Sequence, residues 1–85
     1  MGTKEKLIVR FTGKPKDFTY QELKRLLGFF GYSEKQASGS RVVFLNKQTG
    51  HSIKLHKPHP VNVLKRYQIE LIEQELKDLG LLGRM

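Results

Sequence analysis

The stretch "SRVVFLNKQTGHSIKLHK", residues 40–57, decides the fold that we predict for this chain. It holds two segments rich in β-branched and large apolar residues, separated by the loop "KQTG", residues 47–50. Gly50 stands where a hairpin loop needs a positive φ. After the loop, Ile53 and Leu55 alternate with polar residues, as in a strand that buries one face. We therefore predict a β-hairpin whose two strands flank this loop.

One further strand and a helix are predicted before the hairpin. The segment "YSEKQAS", residues 32–38, is polar enough to form an edge strand, and the short connections favour an antiparallel three-stranded meander. The segment "FTYQELKRLLGFFG", residues 18–31, predicts a helix, because Thr19 and Glu22 form a capping box and Gly31 suits its end. The core face of this helix is predicted to consist of Leu23, Leu26, Leu27 and Phe30.

Two more elements complete the chain. Residues 3–11 favour a short helix, although the β-branched pair within them would also suit a strand. After the proline-rich break "PHPVN", a helix is predicted from about Leu64 to Leu79, closed by Gly80. Its predicted buried stripe is Ile69, Ile72, Leu76 and Leu79. The fold class is therefore α+β in the order α-α-β-β-β-α, with the helices packed on one face of a three-stranded antiparallel sheet, in a single domain over residues 1–85.

The size and composition of the chain limit its function. A domain of 85 residues cannot enclose a large active site, so we predict no small-molecule substrate and expect any chemistry on an open face. There is no cysteine, which removes disulfides and cysteine-type zinc sites, and we predict no metal and no cofactor. The apolar run at residues 7–9 is too short for a membrane span or a secretory signal, so a cytoplasmic protein without a membrane partner is expected.

The charge of the chain points to a polyanionic partner. Sixteen Lys and Arg residues against eight Asp and Glu residues give a net charge of +8. No acidic residue occurs between Glu34 and Glu70, a stretch that holds seven Lys and Arg residues and all three histidines. A surface that serves only solubility usually mixes both signs of charge. This stretch, which has basic but no acidic residues, therefore indicates a surface that faces phosphate groups. Nucleic acid is the first candidate partner.

Strand periodicity places part of this charge on the open face of the predicted sheet. Phe44 is the better core residue in its strand, so Arg41 is predicted to face outward. By the same alternation, Lys54 and His56 face outward from the next strand and share a surface with Arg41. Val43 and Leu45 would also face outward, and this exposed apolar pair predicts an interface with a protein partner or a second copy, unless another part of the chain covers it.

A face of this kind could bind RNA or cleave it. Cleavage without a metal needs a base for the 2′-hydroxyl, an acid for the leaving oxygen and cations for the charge on the phosphorane. Histidine suits the first two roles, and arginine or lysine suits the third. His51 beside the turn is expected to be solvated, and the three histidines offer no defensible zinc geometry. The predicted RNA contacts are Ser40, Arg41, Lys54, Lys57 and Lys65.

The order of four motifs resembles the HicA family of toxin–antitoxin toxins. These motifs are "QELKRLLGFFGY", "GSRVVF", "IKLHKPHP" and "LKDLGLL", and the resemblance covers roughly residues 19–82. It implies a fold like that of the double-stranded-RNA-binding domain and a metal-independent mRNA endoribonuclease (an mRNA interferase) that a HicB-like antitoxin neutralises. It also implies a catalytic histidine directly after the Gly-Ser turn, where this chain has Arg41.

This departure leaves three functions open. Arginine stays protonated and cannot act as a general base, although it can hold phosphate with two hydrogen bonds. If the chain is an endoribonuclease, another histidine must transfer protons, and His56 and then His59 are the candidates. Otherwise the chain is a non-catalytic RNA-binding module. The third possibility is a protein–protein interaction domain that docks an acidic partner through Val43 and Leu45.

Overall fold

The computed structural model describes residues 2–58 and 61–82 and contains three helices and three strands. The elements are α1 (Thr3–Thr12), α2 (Tyr20–Phe29), β1 (Tyr32–Gln36), β2 (Arg41–Asn46), β3 (Ser52–His56) and α3 (Arg66–Asp78). Their order, α-α-β-β-β-α, confirms the predicted α+β class. None of the helices in the described ranges is long and apolar enough to cross a membrane.

The ambiguous segment near the start of the chain is helical. α1 buries Leu7 and Phe11 on one side, and Phe11 contacts Phe18 edge to face with ring centroids 5.3 Å apart. The four-residue spacing of Leu7 and Phe11 places both on one helical face. The apolar residues that face the core are therefore spaced as in a helix and do not alternate as in a strand.

α2 begins and ends as its sequence predicts. The Thr19 hydroxyl accepts from the Glu22 N–H at 3.1 Å, and the Glu22 carboxylate accepts from the Thr19 N–H at 2.9 Å, which completes the capping box. Gly31 follows the helix with φ +93°. The leucines of the predicted core face are buried, whereas Phe30 lies at the end of the helix and is only partly buried.

The sheet is an antiparallel meander in the order β1-β2-β3. Val42 and Phe44 are buried against the helices, while the residues that alternate with them, Arg41, Val43 and Leu45, face the other side. Asn46 ends β2 and is 2% exposed. Its side-chain oxygen accepts from the N–H groups of Gln48 and Thr49, and Gly50 closes the turn with φ +78°. These bonds fix the register of the β2–β3 hairpin.

α3 differs from the prediction at both ends. It begins at Arg66 rather than near Leu64, because the Leu64 N–H donates to the Phe18 carbonyl at 2.8 Å and holds the chain extended there. Leu79 was predicted to be buried, and this is wrong: it is 44% exposed. The helix stops at Asp78, the chain reverses at Gly80 with φ +75°, and Leu82 fills the core position instead. The remainder of the predicted stripe is buried: Ile69, Ile72 and Leu76.

The helices cover one face of the sheet and leave the other face open. Alternation along β2 and β3 sends one set of side chains into the core and the other set away from the helices. The core consists of aromatic and aliphatic residues from all six elements, including Phe11, Leu23, Tyr32, Phe44, Ile53 and Leu76. The open face is therefore available for a partner.

Candidate nucleic-acid interface

Strand register brings a cation and a histidine together on the open face of the sheet. Arg41 in β2 lies directly opposite His56 in β3, and Val43 lies opposite Lys54. Arg41, Lys54 and His56 are all exposed. The Lys57 N–H donates to the Ser40 carbonyl at 2.8 Å, so the Arg41–His56 pair falls between hydrogen-bonded pairs of the ladder. Side chains approach most closely at such positions.

The Gly-Ser turn adds a hydroxyl to this pair. Gly39 has φ +64°, and the Arg41 N–H donates to the Ser38 carbonyl at 3.1 Å, which closes the turn. Ser40 Oγ then lies 3.4 Å from His56 Nδ1. Within residues 2–58 and 61–82, no hydrogen-bond partner contacts His56 Nε2. The second ring nitrogen of His56 is therefore the one available to a ligand.

A fourth basic residue on this face was missed from the sequence. Lys35 in β1 lies opposite Val43, on the other side from Lys54. The sequence could have identified Lys35. Side chains alternate between the two faces along β1, and Lys35 lies on the same face as the outward residues of β2. We call Lys35, Arg41, Lys54 and His56 together the basic face.

The apolar pair of β2 lies between these basic residues. Val43 is flanked by Lys35 and Lys54, and Leu45 by Ser33 and Ser52. Both aliphatic residues are half-exposed. Long lysine stems can lie over apolar surface while the charge stays in water, so the partial burial of Val43 does not require a partner chain. The predicted protein interface at Val43 and Leu45 thus remains a hypothesis.

A shallow depression marks the basic face. Its volume is about 390 Å³, and its lining includes Arg41, Val43, Lys54 and His56. No acidic residue lines it. Most acidic side chains of the described ranges lie in ion pairs elsewhere, as in Glu34 with Lys24 at 3.1 Å. The positive charge of the basic face is therefore not neutralised locally.

The other predicted site residues lie apart from this depression. Lys57 directly follows β3, and its side chain points to the opposite face from that of His56. Its Nζ lies 5.6 Å from the centroid of the Tyr20 ring, on the helix side of the sheet. Lys65 is exposed at the N-cap of α3 and does not line the depression. His59 lies outside the described residues. The structure brings together Ser40, Arg41, Lys54 and His56, but not Lys57 and Lys65.

His51 was expected to be solvated beside the turn, and this is wrong. It is half-buried, with Nδ1 2.8 Å from Tyr32 Oη and Nε2 3.1 Å from a Glu75 carboxylate oxygen. Burial and the nearby charge of Glu75 raise the pKa of Tyr32. His51 therefore connects β1, the start of β3 and α3. Sequence alone could not show this, because the contact depends on where α3 packs.

Neither metal coordination nor similarity to known proteins adds to these observations. Among the residues that the structure describes, no group of three or more His, Asp and Glu side chains is arranged to hold a metal ion. The chain matches none of the protein-family models, curated proteins and solved structures with which it was compared. The resemblance to HicA toxins therefore rests on sequence motifs alone.

Proposed function

We propose that this chain binds RNA through the phosphate groups on its basic face and acts as a toxin of the HicA type. The observation that supports this most strongly is the direct pairing of Arg41 with His56 in a depression without acidic residues. Guanidinium and ammonium groups bind phosphate, and a basic surface of this kind binds nucleic acid largely without regard to sequence. A HicB-like antitoxin as the neutralising partner, and a double-stranded-RNA-binding-domain-like assignment of the α+β fold, belong to the same proposal.

The proposed activity is metal-independent cleavage of mRNA with His56 as the proton-transfer group. Neutral His56 would take the 2′-hydroxyl proton at Nε2, and the 2′-oxygen would attack the adjacent phosphorus. Arg41 and Lys54 would stabilise the added negative charge of the phosphorane. The bond to the 5′-oxygen then breaks, that oxygen takes up the proton that His56 Nε2 had accepted, and the products are a 2′,3′-cyclic phosphate and a 5′-hydroxyl.

Ser40 has a positioning role in this proposal. Its Oγ lies 3.4 Å from His56 Nδ1, and a contact at Nδ1 orients the ring and leaves Nε2 for the substrate. Arg41, which stands where the HicA family has its histidine, holds the phosphate but cannot accept the proton. His56 therefore replaces the missing histidine from the neighbouring strand.

A cleavage assay in the presence of EDTA tests the enzymatic part. Wild type should produce 2′,3′-cyclic phosphate ends from a single-stranded RNA, and His56→Ala should lower the rate by about 100-fold or more while RNA is still bound. Lys16→Ala, which removes an exposed charge in the α1–α2 loop, is the control and should cleave like wild type. Cleavage by His56→Ala at the wild-type rate would remove His56 from the mechanism.

A non-catalytic RNA-binding module is the second candidate function. The observation that favours it is Arg41 itself, because a permanently protonated residue occupies the position of the family's histidine. In this case wild type binds RNA with a strong dependence on salt but leaves it intact. The same cleavage assay separates the two functions, since binding without any cleaved product supports the module.

A further inference from the structure

The outer edge of β3 carries backbone groups that no strand of the described ranges pairs. β3 is the last strand of the sheet. The Asn46 N–H donates to the His51 carbonyl at 2.9 Å, and the Lys57 N–H to the Ser40 carbonyl, so the odd-numbered residues of this segment bond to β2. The N–H and C=O groups of Ser52 and Lys54 therefore point away from β2, to the free edge.

Helix α3 runs beside this edge and is fastened to it at two points. Gln68 Nε2 donates to the His56 carbonyl at 3.0 Å, at one end of β3. Glu75 contacts the His51 ring at the other end. Between these two contacts lies a groove of about 210 Å³. We call it the edge groove: one side is β3 and the other is α3.

The wall of the edge groove on the α3 side is apolar and unusually exposed. Tyr67 and Leu71, one helical turn apart, are 58% and 61% exposed, and both line the groove. Leu55 and Ile72 line it as well. The opposite wall carries Lys54 and His56 of the basic face. An unpaired strand edge beside an exposed apolar wall is suited to an added strand.

We propose that the edge groove binds an extended, acidic segment of a partner protein, which adds a strand to β3. Side chains of an added strand alternate between the two faces of the sheet. Those on the open face would lie beside Lys54 and His56, where carboxylates fit. Those on the helix face would lie against Tyr67 and Leu71, where apolar residues fit. The partner segment therefore alternates acidic and apolar residues.

Charge argues against a second copy of this chain in the edge groove. Each chain has a net charge of +8. A two-fold axis through paired β3 edges would bring Lys54 and His56 of both copies into one short stretch of sheet, and like charges across strands are destabilising. Glu75, the acidic residue in the groove lining, is already bonded to His51. An acidic partner would neutralise the positive charge beside the edge groove, whereas a second copy would increase it.

A designed peptide tests the proposal on the full chain. The probe is an acetylated, amidated hexapeptide of alternating leucine and glutamate, titrated into ¹⁵N-labelled protein and followed by NMR. The backbone N–H signals of Ser52 and Lys54 should shift, and their hydrogen exchange should slow by about tenfold or more at saturation. No change at these two signals at millimolar peptide would overturn the proposal.

Two matched peptides separate strand addition from simple charge attraction. One carries N-methyl groups at alternate backbone nitrogens and cannot complete the ladder, and the other has the same composition with all glutamates in one block. Both should bind at least about tenfold more weakly than the alternating peptide, because one loses the ladder and the other the alternation. Equal binding of all three peptides would mean that the basic face merely attracts negative charge, and would overturn the proposal.

Two variants separate peptide binding in the edge groove from RNA binding on the basic face. Leu71→Gln, an uncharged substitution at an exposed position of α3, should weaken peptide binding by about tenfold or more and leave RNA binding unchanged, because Leu71 lies outside the basic face and the net charge stays the same. Arg41→Ala should weaken RNA binding and leave the peptide unaffected. Unchanged peptide affinity in Leu71→Gln would remove the groove assignment. Failure of RNA binding alone would leave the peptide result standing.

Discussion

Asn46 is the residue that holds the β2–β3 hairpin in register. It is buried, donates to the Phe30 carbonyl at 3.0 Å and accepts from the N–H groups of Gln48 and Thr49. The hairpin in turn sets Arg41 opposite His56. A single amide side chain thus connects the end of α2, the turn and the geometry of the basic face.

Asn46→Ala should lower the free energy of unfolding by about 2–3 kcal/mol, because it leaves three partly buried backbone groups without their partner. Chemical denaturation monitored by circular dichroism measures the change. Gln48→Ala, at an exposed turn position, is the control and should stay within about 0.5 kcal/mol of wild type. Equal stability of Asn46→Ala and Gln48→Ala would show that the side-chain bonds of Asn46 do not hold the turn.

At the scale of the element, α2 depends on its capping box. Thr19→Ala removes the hydroxyl that accepts from the Glu22 N–H, and it should cost about 1 kcal/mol of unfolding free energy. Thr3→Ala, at an exposed position of α1, is the matched control and should change stability little. A thermal or denaturant melt compares the two variants, and a Thr19→Ala protein as stable as the control would contradict the assigned cap.

Elements with a local sequence pattern were predictable, and contacts between elements were not. The phase of β2 and β3 follows from alternation, so the outward positions of Arg41, Lys54 and His56 could be predicted before the structure. The burial of His51 depends on Glu75, 24 residues away, and no local pattern carries that contact. Leu79 fitted the helical period but lies beyond the last helical residue, where the period no longer applies.

At the scale of the molecule, carboxylates with lowered pKa values make stability depend on pH. The hydrogen bond from the Tyr20 hydroxyl, together with Lys24, holds the pKa of Glu34 below its ordinary value of 4.5. The hydrogen bond with Arg10 lowers the pKa of Glu22 as well. Burial raises the pKa of Glu73, but the lysines bonded to it outweigh this effect and lower the pKa below its ordinary value. As the pH falls, these carboxylates therefore take up protons in the unfolded chain before they do so in the folded chain.

Because the folded pKa values are the lower ones, this stabilisation is complete above about pH 4.5 and is lost as the pH falls below it. The denaturant midpoint should drop between pH 6 and pH 3, and Glu34→Gln should show a smaller drop than wild type. Glu70→Gln, in an exposed pair with Arg66, is the control and should follow wild type. A Glu34→Gln midpoint that falls as steeply as wild type would contradict the assigned ion pair.

The proposed function rests on the uneven distribution of charge between the two sides of the domain. The helix side holds most acidic residues in ion pairs, such as Glu22 with Arg10 and Glu73 with Lys14. The open face of the sheet keeps its positive charge. In the proposed function, this asymmetry directs RNA to the open face of the sheet. The proposed function therefore depends on phosphate binding by the basic face.

The salt dependence of RNA affinity is the decisive test of this phosphate binding. Fluorescence anisotropy with a labelled single-stranded RNA, repeated over a series of salt concentrations, gives the slope of log affinity against log salt. Wild type should bind with a steep negative slope, and Arg41→Ala should bind more weakly with a slope shallower by about 0.7, while Lys16→Ala follows wild type. Wild-type binding that does not depend on salt, or identical slopes for Arg41→Ala and Lys16→Ala, would contradict phosphate binding by the basic face.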